Sequence, residues 1–151
     1  MEIELKELPA MRAATVAHTG PYNQIGGAFR RLGETAAQAG LFKPGALMLG
    51  IYFDDPRTVP GEKLRSAAAV TLSPDDAVPA GLSEVSIPGG KYACVVHYGS
   101  YEGLVGAWQE FVKAFSRTHQ RGPGPSLEIY RNTPGTVPET ELLTELCLPV
   151  A

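Results

Sequence analysis

The sequence predicts an α+β fold in which a strand-helix-strand-strand unit occurs twice and two long helices pack on an antiparallel sheet. The first observation behind this prediction is a repeat, since VAHTGPYNQIGGAF (16–29) returns as VVHYGSYEGLVGAW (95–108) with the same His-x-Gly-x-Tyr pattern. The second is that IYFDDPRTVPGEKL (51–64) returns as IYRNTPGTVPETEL (129–142), in the same order and at nearly the same spacing. Two matched blocks indicate a tandem duplication.

Each copy begins with a strand that continues into a helix. MRAATVAH and KYACVVHY are short, apolar and β-branched segments bounded by Pro or Gly, which is typical of strands. The segments that follow carry apolar residues at i, i+4, i+7 and i+11, which lie on one face of a helix. These residues are Ile25, Phe29, Leu32 and Ala36 in the first copy and Leu104, Trp108, Phe111 and Phe115 in the second. Gly40 and the Gly-Pro-Gly-Pro run at 122–125 are predicted to end the two helices.

Two further strands complete each copy. The equivalent strands are ALMLGIYF with SLEIY, and RSAAAVTL with LLTELCLPV, each pair separated by a proline-rich loop. IELKEL and SEVSI add outer strands, which we expect to form hairpins across Pro9-Ala10 and Gly89-Gly90. Because neither half has enough apolar surface for a core of its own, residues 1–151 are predicted to be a single domain, with repeats at about 1–75 and 80–151.

Composition restricts the classes of function. A net charge of −3, without a cluster of Lys and Arg, argues against direct binding of nucleic acid. No apolar run approaches the roughly 18 residues that span a bilayer, and MEIELKELPAMR lacks the basic-then-apolar order of a secretion signal. We therefore expect a cytoplasmic protein with no membrane partner.

Cys94 and Cys147 lie far apart in apolar segments and are expected to be buried thiols rather than a disulfide. Neither a metal site nor a cofactor is predicted.

Two stretches carry a resemblance to a known family, namely HTGPY at 18–22 and the closing IYRNTPGTVPETELLTELCLPV. Over essentially the whole chain the sequence resembles the GyrI-like (SbmC-like) family of small-molecule-binding proteins, which shares its fold with the effector-binding domains of AraC-type and BmrR-type regulators. The resemblance implies pseudo-twofold symmetry, a small-molecule cleft between the halves, and hydrophobic, often cationic ligands. The DNA-binding segment of those regulators is missing, so the chain is not expected to be a transcription factor by itself.

A difference between the two copies selects Glu145 as a candidate site residue. It stands where the first copy has Ala67, and strand alternation places it on the face of Leu143 and Cys147. A buried carboxylate is costly unless a partner compensates it, so the residues alone leave two alternatives. Glu145 either faces solvent or lies in a pocket that awaits a positive partner. The resemblance implies the second, because the family carries a glutamate in this segment as the negative centre of its pocket.

Aromatic residues are the other candidates, since the faces of their rings hold organic cations. Tyr52 and Tyr130 lie at equivalent places, and Glu128, two residues from Tyr130 on the same face, would add a polar rim. For Trp108 and Phe29 the alternative is core packing, and for Tyr130 it is an exposed position on a strand. The aromatic candidates are Trp108, Tyr130, Tyr52, Phe29, Tyr98 and Phe53.

The histidines are interpreted as structural. His18 and His97 occupy equivalent places, so each is predicted to anchor the turn from strand to helix through a backbone hydrogen bond. Gly20 and Gly99 are predicted to allow that tight turn.

The predicted function is that of a stand-alone binding protein that sequesters or senses hydrophobic, cationic small molecules. Glu145 would supply the charge, and Trp108, Tyr130 and Tyr52 the apolar walls. The protein is not expected to be an enzyme. The alternative is a hydrolase of cyclopropane-bearing alkylating compounds, in which Glu145 either activates water or stabilises developing positive charge and Tyr130 is the acid partner. A further alternative is an inhibitor whose partner is DNA gyrase, since founding members of the family that the chain resembles act on that enzyme.

Overall fold

The structure, a computed structural model, describes residues 2–151. Within that range it contains eight strands and two α-helices, so the predicted α+β class is confirmed. In chain order these are β1 (Glu4–Leu8), β2 (Met11–Thr19), α1 (Gly26–Gln38), β3 (Met48–Tyr52), β4 (Arg65–Leu72), β5 (Ser83–Ile87), β6 (Gly90–Tyr98), α2 (Leu104–Thr118), β7 (Ser126–Tyr130) and β8 (Leu143–Pro149). Neither of the helices in this range is long and apolar enough to cross a lipid bilayer.

The chain divides into two compact units. We call Ala10–Pro88 the early unit, and the segment up to Pro9 together with Gly89–Ala151 the late unit. The early unit is an antiparallel sheet in the order β3-β4-β2-β5, against which α1 packs. The late unit is an antiparallel sheet in the order β7-β8-β6-β1, against which α2 packs. The two orders are equivalent strand for strand.

The outer strands do not pair as the sequence analysis predicted. Instead of hairpins with their neighbours in sequence, β1 pairs with β6, Glu4 lying opposite Cys94, and β5 pairs with β2, Ile87 lying opposite Met11. A two-residue hairpin turn needs positive φ at one or both central residues. Pro9 has a fixed negative φ and Ala10 has a side chain that disfavours positive φ, so this link cannot form such a turn. Both hairpin predictions were wrong, because β1 and β5 pair with β6 and β2 instead.

Each helix buries the middle of its predicted apolar stripe. The fully buried stripe residues are Leu32 and Ala36 in α1 and Phe111 and Phe115 in α2, joined by Ala28 and Ala107. Trp108 and Phe29, which lie at the edge of the stripes, are only partly buried and pack against the margins of the two cores. Each helix therefore packs on its sheet through the centre of its apolar stripe, while Trp108 and Phe29 remain at the edge.

The two strand-to-helix turns confirm the structural interpretation of the histidines. Nε2 of His18 donates to the carbonyl oxygen of Pro21 at 3.1 Å, and Nε2 of His97 donates to that of Ser100 at 3.0 Å. Gly20 and Gly99, at φ of 127° and 110°, adopt the backbone conformation that side chains disfavour. The imidazoles thus brace equivalent turns, and each turn needs its glycine.

Candidate ligand-binding site

The two strands β7 and β8 of the late unit carry acidic residues on opposite faces of the sheet. Glu128 lies opposite Leu146, whose side chain packs in the core beneath α2, whereas Glu145 lies opposite Ile129. Because successive side chains of a strand alternate between faces, Glu128 is on the helix side and Glu145 on the other. The two carboxylates therefore belong to different sites.

Glu128 is held by two of the predicted aromatic residues. Nε1 of Trp108 donates to Oε2 of Glu128 at 2.6 Å, and the hydroxyl of Tyr130 donates to Oε1 at 2.7 Å. The glutamate is 5% exposed. Both donors are neutral, so these bonds orient the carboxylate without cancelling its negative charge.

Tyr101 extends this cluster towards the surface. Its ring lies 5.6 Å from that of Tyr130, at an interplanar angle of 53°. Burial, followed by the negative charge of Glu128, raises the pKa of the Tyr101 phenol above its ordinary value. Tyr101 also lines a cavity of about 320 Å³, together with Val137 and Leu142. We call Glu128, Trp108, Tyr130 and Tyr101 the Glu128 cluster; Tyr101 is its member that lines this cavity.

Thr144 adds a polar group to the same face. It lies directly opposite Tyr130 in the β7–β8 pair, so the two side chains project to the same side. Its hydroxyl is buried and has no hydrogen-bond partner among residues 2–151. Buried hydroxyls are nearly always satisfied, so a donor and acceptor remain available beside the Glu128 cluster.

Glu145 is buried, at 2% exposure, and its positive partners are two residues of the protein itself. Nζ of Lys6 donates to Oε2 at 2.6 Å, and the guanidinium of Arg131 donates to Oε1 from both Nε and Nη2. Burial alone opposes ionisation of Glu145, but the hydrogen bonds from the two cations outweigh it and lower its pKa. Its charge is balanced within the late unit.

The remaining predicted residues lie elsewhere. Tyr98 and Glu145 line a second cavity of about 520 Å³, with Glu4 and Glu110. In the early unit, Tyr52 packs edge-on against Tyr22 with ring centroids 4.8 Å apart, and Phe29 packs against the same core. The structure therefore brings Trp108 and Tyr130 together and places Tyr98 with Glu145. It leaves Tyr52 in the core of the early unit and Phe29 at the margin of that core.

Glu128 is the site residue that sequence reasoning underrated, and the repeat contained a signal for it. The early unit has Gly50 where the late unit has Glu128, and Phe29 where the late unit has Trp108. A Cβ at Gly50 would lie 2.7 Å from the hydroxyl oxygen of Tyr52, so the ring of Tyr52 covers that position. The acid and the indole that donates to it are thus replaced together.

One group within residues 2–151 has the ligand atoms to hold a metal ion. Cys94, Cys147 and Glu145 place two thiol sulfurs and a carboxylate oxygen within 4.8 Å of one another. The neighbouring thiol of Cys94, followed by burial, raises the pKa of Cys147. The two thiols are buried, as predicted, and unlinked.

Comparison with known proteins identifies the family. The family model described as the GyrI-like small molecule binding domain matches residues 1–151. The chain belongs to the GyrI-like family. This GyrI-like chain is 36% identical over 98 residues to the DNA gyrase inhibitor of Klebsiella pneumoniae (strain 342), a match that covers 59% of the chain and 60% of that relative. The chain thus spans about three-fifths of the length of that relative.

Solved structures share the GyrI-like fold over nearly the whole chain. The C-terminal domain of EcmrR matches 99% of this chain and 97% of its own, with a TM-score of 0.80 and 17% identity. SAV2435, solved bound to tetraphenylphosphonium, matches 100% of this chain and 94% of its own, with a TM-score of 0.72 and 20% identity. At these identities the likeness establishes the fold alone.

Proposed function

We propose that this GyrI-like chain is a cytosolic protein that binds hydrophobic cations, with Glu128 as the negative centre of the site. The observation that carries the proposal is the buried carboxylate of Glu128, oriented by the indole N–H of Trp108 and the hydroxyl of Tyr130. A buried negative charge between aromatic rings complements an apolar cation better than it complements a neutral or anionic ligand.

Magnitudes favour a cationic ligand at this place. Each contact between a cation and an aromatic face is worth about 0.5–2 kcal/mol, more when the site is dry. Trp108 and Tyr130 bond the carboxylate through the edges of their rings, and the ring of Tyr101 lies beside that of Tyr130, so three aromatic rings are available near the acid for such contacts. The hydroxyl of Thr144 supplies a further polar contact, and Tyr101, 37% exposed, connects the cluster to the surface.

Glu128 suits this role better than Glu145. A ligand cation at Glu145 would have to compete with Lys6 and Arg131, which already bond both carboxylate oxygens. At Glu128 the ligand would meet a carboxylate oriented by neutral donors from two aromatic residues. The binding of tetraphenylphosphonium by SAV2435, a protein of the same fold, is consistent with a lipophilic cation as ligand.

Tetraphenylphosphonium and tetraphenylborate test the proposal, because they have the same shape and opposite charge. Trp108 is the single tryptophan, so its fluorescence reports binding at the cluster directly. We expect the cation to bind and to raise the melting temperature, and the anion to bind at least about tenfold more weakly, a difference of about 1.4 kcal/mol.

Two variants test which carboxylate causes the preference for a cation. Glu128→Gln should lose most of the preference for the cation, whereas Glu145→Gln, which removes the same charge from the opposite face, should keep it. Equal affinity of the wild-type protein for both ions would contradict the proposal, and so would an unchanged preference in Glu128→Gln.

Inhibition of DNA gyrase is the second candidate function, and the match to the Klebsiella pneumoniae inhibitor favours it. Such an inhibitor would slow gyrase supercoiling without any small molecule. The supercoiling rate with protein alone, measured for the wild type and for Glu128→Gln, separates this activity from ligand binding, because ligand binding requires the Glu128 cluster.

A further inference from the structure

Cys94 and Cys147 form a thiol pair that their separation in sequence conceals. They lie directly opposite each other in the β6–β8 ladder, and their sulfurs are 3.3 Å apart. A disulfide would need about 2.05 Å. A tetrahedral ion with bonds of about 2.3 Å to sulfur would hold the two sulfurs about 3.8 Å apart, so a small side-chain rotation would admit it.

Glu145 completes a set of three ligands. It lies two residues from Cys147 on the same strand and therefore on the same face of the sheet. Its carboxylate lies within 4.8 Å of both sulfurs. A carboxylate has about four lone-pair positions, so Oε2, which accepts one hydrogen bond from Lys6, keeps one for an ion.

The surrounding charges suit a divalent ion. Binding would break two S–H bonds, form two metal–sulfur bonds and release two protons, so the local charge would not change. Lys6 and Arg131 would continue to hold the carboxylate, as hydrogen-bonded partners of metal ligands commonly do. The cations beside Glu145 therefore do not prevent binding.

A route from solvent reaches the ligands. The cavity of about 520 Å³ is lined by Cys94 and Glu145, and also by the carboxylates of Glu2, Glu4 and Glu110. These three acidic residues would attract a cation towards the sulfurs. The two thiols themselves are nearly inaccessible, at 2% and 0% exposure, so an ion bound there would be shielded from water.

The early unit shows that the fold does not require these residues. In the equivalent ladder position it pairs Thr15 with Ala69, and it has Ala67 in place of Glu145. The same backbone is therefore built with no thiol and no acid. This difference argues against packing as the sole reason for two cysteines and a glutamate in the late unit.

We propose that Cys94, Cys147 and Glu145 bind a thiophilic divalent ion of the zinc and cadmium class. Two sulfurs and one carboxylate oxygen are donors that such ions accept in tetrahedral sites, with water in the fourth position. The site lies on the face opposite the Glu128 cluster and does not depend on the proposed ligand function.

Titration of the full chain with Cd²⁺, after chelator treatment and reduction with a phosphine, tests this site. We expect ultraviolet absorption from thiolate-to-metal charge transfer that saturates at one ion per chain, with release of two protons per ion. Cys147→Ala and Cys94→Thr each introduce the residue that the early unit has at the equivalent position, Ala69 or Thr15, so both variants should fold. Each should abolish the absorption. Glu145→Gln should keep it and weaken affinity about 10–100-fold.

A double variant provides the matched control. Glu4→Gln with Glu110→Gln removes two carboxylates of the cavity but no thiol. Its absorption at saturation should therefore match that of the wild type, even if more Cd²⁺ is needed to reach it. Binding by wild-type protein without thiolate absorption would place the ion on surface carboxylates and overturn the proposal. Absorption that persists in Cys147→Ala would also overturn it.

Discussion

Glu128 and Glu145 are both buried carboxylates of the late unit, and the groups that hydrogen-bond them differ in charge. Lys6 and Arg131 bond Glu145, whereas the indole of Trp108 and the phenol of Tyr130 bond Glu128. Hydrogen bonds from two cations balance the charge of an acid, whereas hydrogen bonds from neutral donors orient it. Two glutamates of one unit are thus held by different kinds of group on opposite faces of the sheet.

A double-mutant cycle tests the bond between Trp108 and Glu128. Trp108→Phe places the residue of the early unit in the late unit and removes the N–H donor. We expect it to lower the free energy of unfolding by about 1.5–3 kcal/mol, the usual worth of a hydrogen bond to a charged group. In the Glu128→Leu background the same change should cost less, with a coupling energy of about 1–2 kcal/mol from urea unfolding. Additive costs would show that the indole contributes through packing alone.

At the scale of elements, loops of the early unit are joined through Asp76. Its Oδ1 accepts a hydrogen bond from Nζ of Lys43 at 2.6 Å, and its Oδ2 accepts one from the backbone N–H of Ser73 at 2.8 Å. The bond from Lys43, followed by that from Ser73, lowers the pKa of Asp76 from 3.8 to about 2. The loop that follows β4 is therefore tied to the loop that follows α1.

This contact makes the stability of the folded protein depend on pH. A carboxyl whose pKa is depressed in the folded state stabilises that state above its unfolded pKa, here 3.8, and loses this contribution as pH falls towards about 2. Asp76→Asn should therefore lower the urea midpoint at pH 7, and the difference from wild type should shrink between pH 4 and pH 2, about the window set by the two pKa values. Asp75→Asn removes the same charge one residue away and serves as the control. A difference that stays constant with pH would contradict this assignment.

At the scale of the whole molecule, each unit pairs its outer strand with a strand that is distant in sequence. β1 precedes the early unit in sequence but pairs with β6 of the late unit, and β5 pairs with β2 across the early unit. The chain passes between the units after Pro9 and again after Pro88. β1 and β2, and likewise β5 and β6, are neighbours in sequence but belong to different units.

Hydrogen exchange on two equivalent edge-strand variants tests this pairing. Lys6→Pro removes a backbone N–H from β1 and should speed exchange in β6, on the order of tenfold, while β2 is unchanged. Val85→Pro, at the equivalent position of β5, should speed exchange in β2 and not in β6. Lys6→Val, which keeps the N–H, separates the backbone effect from the loss of the ammonium group. Faster exchange of β2 in Lys6→Pro would support the hairpin pairing instead.

Much of the fold could be predicted because its signals are local. The stripe through Leu104 and Phe111, the strand alternation that put Glu145 on the face of Cys147, and the turn role of His18 were all read from short segments and are confirmed. The partners of the outer strands could not be read in this way: β1 pairs with β6 and β5 pairs with β2. The residues of a strand do not specify which strand, distant in sequence, will lie beside it.

The candidate site, too, could be predicted from the sequence only in part. By itself the sequence determined that two blocks recur in the same order, that each is followed by the strand and helix patterns described above, and that an acid and aromatic rings are present in the second half. These signals could be read because periodicity and composition act within a few residues. Only the tertiary structure decided that Trp108 reaches Glu128, that Lys6 reaches Glu145, and that Cys94 faces Cys147. Register and face decide which distant side chains meet, and register is set by packing across the whole sheet.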